Sequence, residues 1–184
     1  RSHRATLAIS RQAQKLLVPP AAPIDAARAM ALTLPMKFSA AITRMPIPHD
    51  PSRGAEARAA FAGLDGPVLD LIAGTAGCSP YLWSLMQKEA AWLPDAFAQA
   101  DAGLVARETA GFQDLDAEDL GPALRRAKRR VALLAGLADL GGVWRLEQVT
   151  GALAELADRA TGLALRAHLR PEIARGKLPD TDAD

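Results

Sequence analysis

From Leu120 to Ala138, and again from Leu146 to Ala167, apolar residues return at every third or fourth position. The first series is Leu120, Leu124, Ala127, Val131, Leu134 and Ala138. The second is Leu146, Val149, Leu153, Leu156, Ala160, Leu163 and Ala167. Steps of three and four place side chains on one face of an α-helix, whereas a strand would need every second residue. The spacing predicts two long helices, Pro122 to Leu140 and Leu146 to Leu169. Each must bury its apolar stripe against other elements, and strand signals to supply a sheet are almost absent. Alternating β-branched runs are short, and no Asn-Gly hairpin occurs. The expected fold class is all-α, an irregular bundle or array of helices of unequal length.

Shorter helices are expected between Gly54 and Val105: Ala55 to Leu64, Pro67 to Ala76, Pro80 to Trp92 and Asp95 to Val105. The third opens on Ser79-Pro80, an N-cap hydroxyl followed by a residue whose missing donor costs nothing at the first helical position. In it Tyr81, Leu82, Leu85, Met86 and Leu93 form the apolar stripe, with Gln87, Lys88 and Glu89 on the other side. Asp116 is the expected cap of the long basic helix, and Gly141-Gly142 its end. Core positions expected from the spacing are Leu82, Leu85, Met86, Leu124, Val131, Leu134, Val149, Leu153, Leu156 and Leu163.

Residues 1–53 differ. Pro19, Pro20, Pro23, Pro35, Pro46, Pro48 and Pro51 leave room only for short helices, Thr6 to Leu17 and Ile24 to Leu34. "MPIPHDPSRG" reads as an extended strap, because alternating prolines cannot pair on both sides. Met36 opens a stretch that reads like a protein's start, which would place residues 1–35 upstream of it. The expected organisation is a proline-rich segment over 1–53, a helical domain over 54–178 and an acidic linker or cut end over 179–184.

Several functions find no support in these residues. Lys and Arg number 22 against 21 Asp and Glu, so no net field draws the chain to nucleic acid or anionic lipid. Arg125, Arg126, Lys128, Arg129 and Arg130 cluster on one helix, but a solvated face partly paired with neighbouring acids accounts for them. A nucleic-acid site there is the weaker reading. Cys78 stands alone, far in sequence from His3, His49 and His168, and is read as a small buried apolar residue rather than a nucleophile. No apolar run reaches the roughly 18 residues of a membrane span, and no secretory signal is recognisable. The chain is expected to be cytoplasmic. D-x-D pairs occur at Asp114/Asp116 and Asp180/Asp182. Paired aspartates can hold Mg²⁺ for nucleotidyl transfer only on a rigid frame beside a phosphate cradle. The first pair opens a helix and the second lies in a polar tail, so capping and solvation explain them.

Two stretches carry a resemblance: "LIAGTAGCSPYLWSLMQKEAAWL", and the run "LRRAKRRVALLAGLADLGGVWRLEQVTGALAELADRATGLAL". The second joins a basic helix with an Ala-Asp-Leu end to a helix patterned L-x-x-V-T-x-x-L-x-x-L-A-D. Over about residues 36–179 the chain resembles bacterial bifunctional glutamine synthetase adenylyltransferases/adenylyl-removing enzymes. The resemblance implies a parent enzyme with two catalytic halves. One half adenylylates a tyrosine of glutamine synthetase from ATP, and the other removes the adenylyl group by phosphorolysis. Mg²⁺ and ATP would be the parent's cofactors; glutamine synthetase and the PII signal-transduction protein would be its partners, with no role for nucleic acid or membrane. In that family the removal half carries a Gly-Ser followed by D-x-D on a sheet, and the region present here would be the N-terminal helical lead-in. Gly-Ser is absent from this sequence. No catalytic, cofactor-binding or metal-binding residue carries over, so the segment is expected to be inactive alone. The competing reading is a free-standing, non-enzymatic helical interaction module.

Overall fold

The computed structural model describes residues Lys37–Lys177. The chain divides into two units, residues 1–35 and 36–184. The helices expected at Thr6 to Leu17 and Ile24 to Leu34, and the Asp180/Asp182 tail, lie outside the described residues. Among those residues there is no strand. The elements are α1 (Phe38–Ala41), α2 (Pro51–Ala60), α3 (Gly66–Cys78), α4 (Pro80–Lys88), α5 (Leu93–Ala98), α6 (Leu104–Glu108), α7 (Ala117–Leu140) and α8 (Leu146–Ala174). A 3₁₀ turn, Phe112–Asp114, joins α6 to α7. The fold is all-α, as the periodicity requires.

Local chemistry moves several boundaries from their expected places. Helix α2 starts at Pro51 rather than Ala55, because Asp50 Oδ1 accepts from the Arg53 amide at 3.0 Å and Pro51 fills the first helical position. Helix α4 ends at Lys88 rather than Trp92, and Glu89 leaves the helical line as its C-cap. The single helix expected at Asp95 to Val105 is two, α5 and α6. The break centres on Asp101, whose carboxylate accepts from the Gly103 amide at 2.8 Å in a local turn that competes with helix. Helix α7 starts at Ala117, before Gly121-Pro122, since Asp116 Oδ1 accepts from the amides of Glu118 (3.0 Å) and Asp119 (2.9 Å). Helix α8 continues past Leu169 and through Pro171 to Ala174.

Helices α3 and α7 form the centre. Every residue of α3 from Leu71 to Gly77 is buried, because α2, α4 and α7 and the segment before α2 surround it. That segment is the strap. Residues 42–50 form no regular element, and Pro46 and Pro48 bring no amide to pair. Their neighbours anchor it: the amides of Thr43 and Arg44 donate to the Gly141 carbonyl (2.8 and 3.1 Å), and Asp50 donates to that of Gly77 (3.0 Å). Gly74 and Gly77, one turn apart on α3, let the strap lie directly on the helix backbone. A Cβ on Gly74 would strike the Pro46 carbonyl, and one on Gly77 would sit 2.8 Å from the Asp50 carbonyl oxygen.

Of the expected core, Leu85, Met86, Val131, Leu134 and Leu156 are buried, while Leu82, Leu124, Val149 and Leu163 are half-buried against it. Three expectations fail, the first at Leu146, which opens the α8 stripe and is 70% exposed. Leu153 is 44% exposed, because α8 packs on α7, α6 and the 3₁₀ turn and the Leu153 flank faces away from them. Tyr81 is exposed as well, and Trp83 takes the inward place on α4.

Candidate functional site

The most chemically distinctive place in the described residues is a cluster of four charges between α4, α6 and α7. Its centre is Glu89, only 5% exposed. The Glu89 Oε1 accepts from Arg129 Nε at 2.8 Å and Oε2 from Arg130 Nε at 2.9 Å. Arg130 also donates through Nη1 to Glu108 Oε2 at 3.0 Å, and Glu108 Oε1 accepts from the Trp92 indole N–H at 3.0 Å. The Arg130 guanidinium stands 5.0 Å from the Trp92 ring centroid, a cation–π distance. Two carboxylates thus meet two guanidiniums, and all four carboxylate oxygens accept hydrogen bonds.

The chain places these groups for separate local reasons. Glu89 caps α4 and turns inward where the helix stops. Trp92 follows three residues later in the turn into α5, and Glu108 ends α6. Arg129 and Arg130 are adjacent on α7. Burial opposes ionisation of Glu89, but the hydrogen bonds and charges of Arg130 and Arg129 outweigh it and hold its pKa below the ordinary glutamate value. For Arg130, burial again acts against the charge, and the bonds to Glu89 and Glu108 raise its pKa above the usual arginine value. A cluster so closed has no free proton carrier and no open coordination position. Its chemistry is cohesion between three helices.

Glu89 contradicts its expected place on the solvent side with Gln87 and Lys88. The helical wheel misplaces it because α4 has already ended there. The basic run on α7 divides: Arg129 and Arg130 turn to the acids, while Arg125, Arg126 and Lys128 are exposed and make no ion pair among the described residues. Partial pairing with neighbouring acids is what the run suggested.

The other residues singled out from the sequence do not converge on a site. Cys78 is exposed, against the expectation that it is buried. The strap leaves it at the rim of α3, where its Sγ donates to the Ile47 carbonyl at 2.9 Å. Asp116 is the α7 cap, and Asp114 in the 3₁₀ turn accepts from Gln113 Nε2 at 3.0 Å. Among the described residues no group of three His, Cys, Asp or Glu could hold a metal ion. No helix there is long and apolar enough to cross a membrane.

A cleft of ≈180 Å³ opens between the Asp101 turn and the start of α8, with Leu104, Trp144 and Ala152 as floor and Asp101, Glu147 and Glu155 around it. Asp101 is engaged by Arg107 at 2.7 Å and Glu155 by Arg159 at 2.9 Å. The cleft offers no nucleophile and no phosphate cradle.

Comparison with known proteins finds relatives by sequence. Bifunctional glutamine synthetase adenylyltransferases/adenylyl-removing enzymes of two Bradyrhizobium strains match at 37% identity over 142 residues and 39% over 139. These alignments cover 73% and 72% of this chain. By sequence, the chain is related to a segment of these enzymes. The same enzyme of Caulobacter vibrioides matches at 38% identity over 104 residues, 54% of the chain. The chain spans only 14% of the length of the two Bradyrhizobium relatives. No protein-family model matches it, and no solved structure does.

Proposed function

We propose that this chain is the N-terminal helical part of a bifunctional enzyme that adenylylates and deadenylylates glutamine synthetase in nitrogen regulation, and that it is non-catalytic by itself. The observation that carries this reading is the match of nearly three-quarters of the chain to only a seventh of the adenylyltransferase relatives. The expected helical lead-in is consistent with the eight described helices and with Asp116 being spent on a helix cap. Mg²⁺ and ATP then serve catalytic halves outside this segment. Glutamine synthetase is the protein substrate of the longer enzyme and the PII protein its signal partner, all in the cytoplasm.

Within that enzyme the segment contributes a rigid helical body. The Glu89–Arg130–Glu108 cluster ties α4 and α6 to α7, and the strap ties α3 to the α7–α8 turn. A free-standing interaction module is the second reading, favoured by the exposed leucines of α8. Incubating the purified chain with Mg²⁺, phosphate and adenylylated glutamine synthetase tests the proposal. No ADP should appear, and Asp114→Asn or Asp116→Asn should change nothing but stability. ADP release that depends on either aspartate would overturn it. A coding sequence that closes at Asp184 would select the free-standing module.

A further inference from the structure

The basic run of α7 carries more charge than its neighbours neutralise. Glu89 and Glu108 face Arg129 and Arg130, and all four of their oxygens are taken by those two arginines and Trp92. Arg125, Arg126 and Lys128 are exposed and meet no carboxylate among the described residues. Helical spacing offers them none, since no Asp or Glu lies three or four residues before or after any of the three. It gives them one another instead. Arg125 stands three and four residues from Lys128 and Arg129, and Arg126 the same from Arg129 and Arg130. Like charges at those spacings weaken a helix. At about 100° per residue, Lys128, Arg125, Arg129 and Arg126 follow one another round roughly 160° of the helix circumference. Helix stability opposes this arrangement, and the whole chain has a net charge of only +1. So local a surplus calls for a ligand that brings the missing negative charge.

The shape of the patch decides the class of that ligand. Arg125, Arg126 and Lys128 stand on the convex outer face of a helix. They line neither the cleft at Asp101 nor the small one at Arg166 and Arg170. A small anion would not be enclosed there, so the negative charge must come on the surface of a larger partner. An anionic membrane is recognised by clusters of about four to eight Lys and Arg, and three free cations fall short of that. Nucleic acid is held by many phosphate contacts or by stacking, and no aromatic residue lies within the run. Carboxylates on a protein suit it better. Arginine forks bind carboxylates with paired hydrogen bonds, and a few exposed charges are enough to steer and orient a partner whose main contacts lie elsewhere. We propose that the Arg125–Arg126–Lys128 corner of α7 is the docking site for a carboxylate-rich surface of a protein partner. The proposal is independent of the fragment reading above.

Fluorescence anisotropy of a labelled oligoglutamate peptide, titrated with the 184-residue chain at low ionic strength, tests it. The peptide should bind, rising salt should release it, and amide NMR shifts should centre on Arg125 to Lys128. Replacing the three cations together, as Arg125→Gln, Arg126→Gln and Lys128→Gln, should weaken binding roughly tenfold, the combined effect of three exposed charge pairs. The melting temperature of that variant should not fall, because like-charge repulsion is relieved. Lys37→Gln, Arg145→Gln and Arg166→Gln together remove as much charge from exposed positions elsewhere and should leave binding unchanged. Absence of peptide binding, or binding that the α7 variant keeps, would overturn the proposal. So would an equal loss in the second variant, which means attraction by the chain's charge at large. A lower melting temperature in the α7 variant would also overturn it, since the three cations would then be holding the fold. Oligothymidylate of equal charge or phosphatidylserine vesicles, bound more tightly than the peptide through the same side chains, would assign the patch to nucleic acid or to a membrane instead.

Discussion

Helices α7 and α8 carry the same three-and-four spacing of apolar residues, yet nine residues of α7 are buried and only Leu156 of α8 is. The difference lies in their neighbours. Helix α7 meets α3, α4, α6 and α8, whereas α8 meets α7, α6 and the 3₁₀ turn. Neighbours on several sides enclose even positions off the apolar stripe of α7, such as Leu133 and Leu137. Neighbours on one side leave Leu146 and Leu153 of the α8 stripe in solvent and Val149, Ala160, Leu163 and Ala167 only half-buried. Periodicity therefore reports that a face can be buried, and the contacts made by the rest of the chain report whether it is.

Substitutions along the two helices should separate them. The largest loss is expected at Leu134, fully buried on α7: Leu134→Ala should cost about 3–4 kcal/mol in urea unfolding. A loss below that of an exposed leucine would break the assignment of α7 as the centre. Next comes Glu89→Ala, which leaves Arg129 without its carboxylate and Arg130 with Glu108 alone, and should cost about 2 kcal/mol. The same group sets an acid limb. Glu89 has its pKa lowered by folding, so its contribution is complete above the ordinary glutamate value near about 4.3 and is lost as pH falls through the lower folded value. Glu89→Gln should flatten that part of the stability–pH curve; an unchanged slope would show the cluster to be electrostatically idle.

The smaller effects fall on α8. Leu156→Ala should cost about 2 kcal/mol, since one side of the helix lends it fewer neighbours than Leu134 has. Leu153→Ala, three residues away on the exposed flank, should cost less than about 0.5 kcal/mol. Equal losses at 153 and 156 in the 184-residue chain would place both in one buried seam and erase the contrast.

The spacing of the sequence was enough to read the all-α class, both long helices, the Ser79 and Asp116 caps and the proline strap as far as Asp50, though the expected strap ran on to Gly54 and its residues 51–54 are the first turn of α2. These are local: a hydroxyl or carboxylate meets amides two or three residues on, and a proline lacks its own donor. What it could not convey is how far-apart segments meet. The burial of Glu89 depends on Arg129 and Arg130, forty and forty-one positions later. The exposure of Cys78 depends on where the strap crosses α3, and the exposure of Leu153 on the helices that α8 lacks. The signal for Glu89 was present only as a coincidence, a glutamate at a helix end and an unusually dense basic run in the same chain.

Native-state hydrogen exchange of the 184-residue chain tests the contrast between the two helices most directly. Amides from Ala127 to Leu137 in α7 should exchange only through global unfolding, and those from Leu163 to Ala174 in α8 through local opening at much lower free energy. Protection in that stretch of α8 equal to that of α7 would contradict the account.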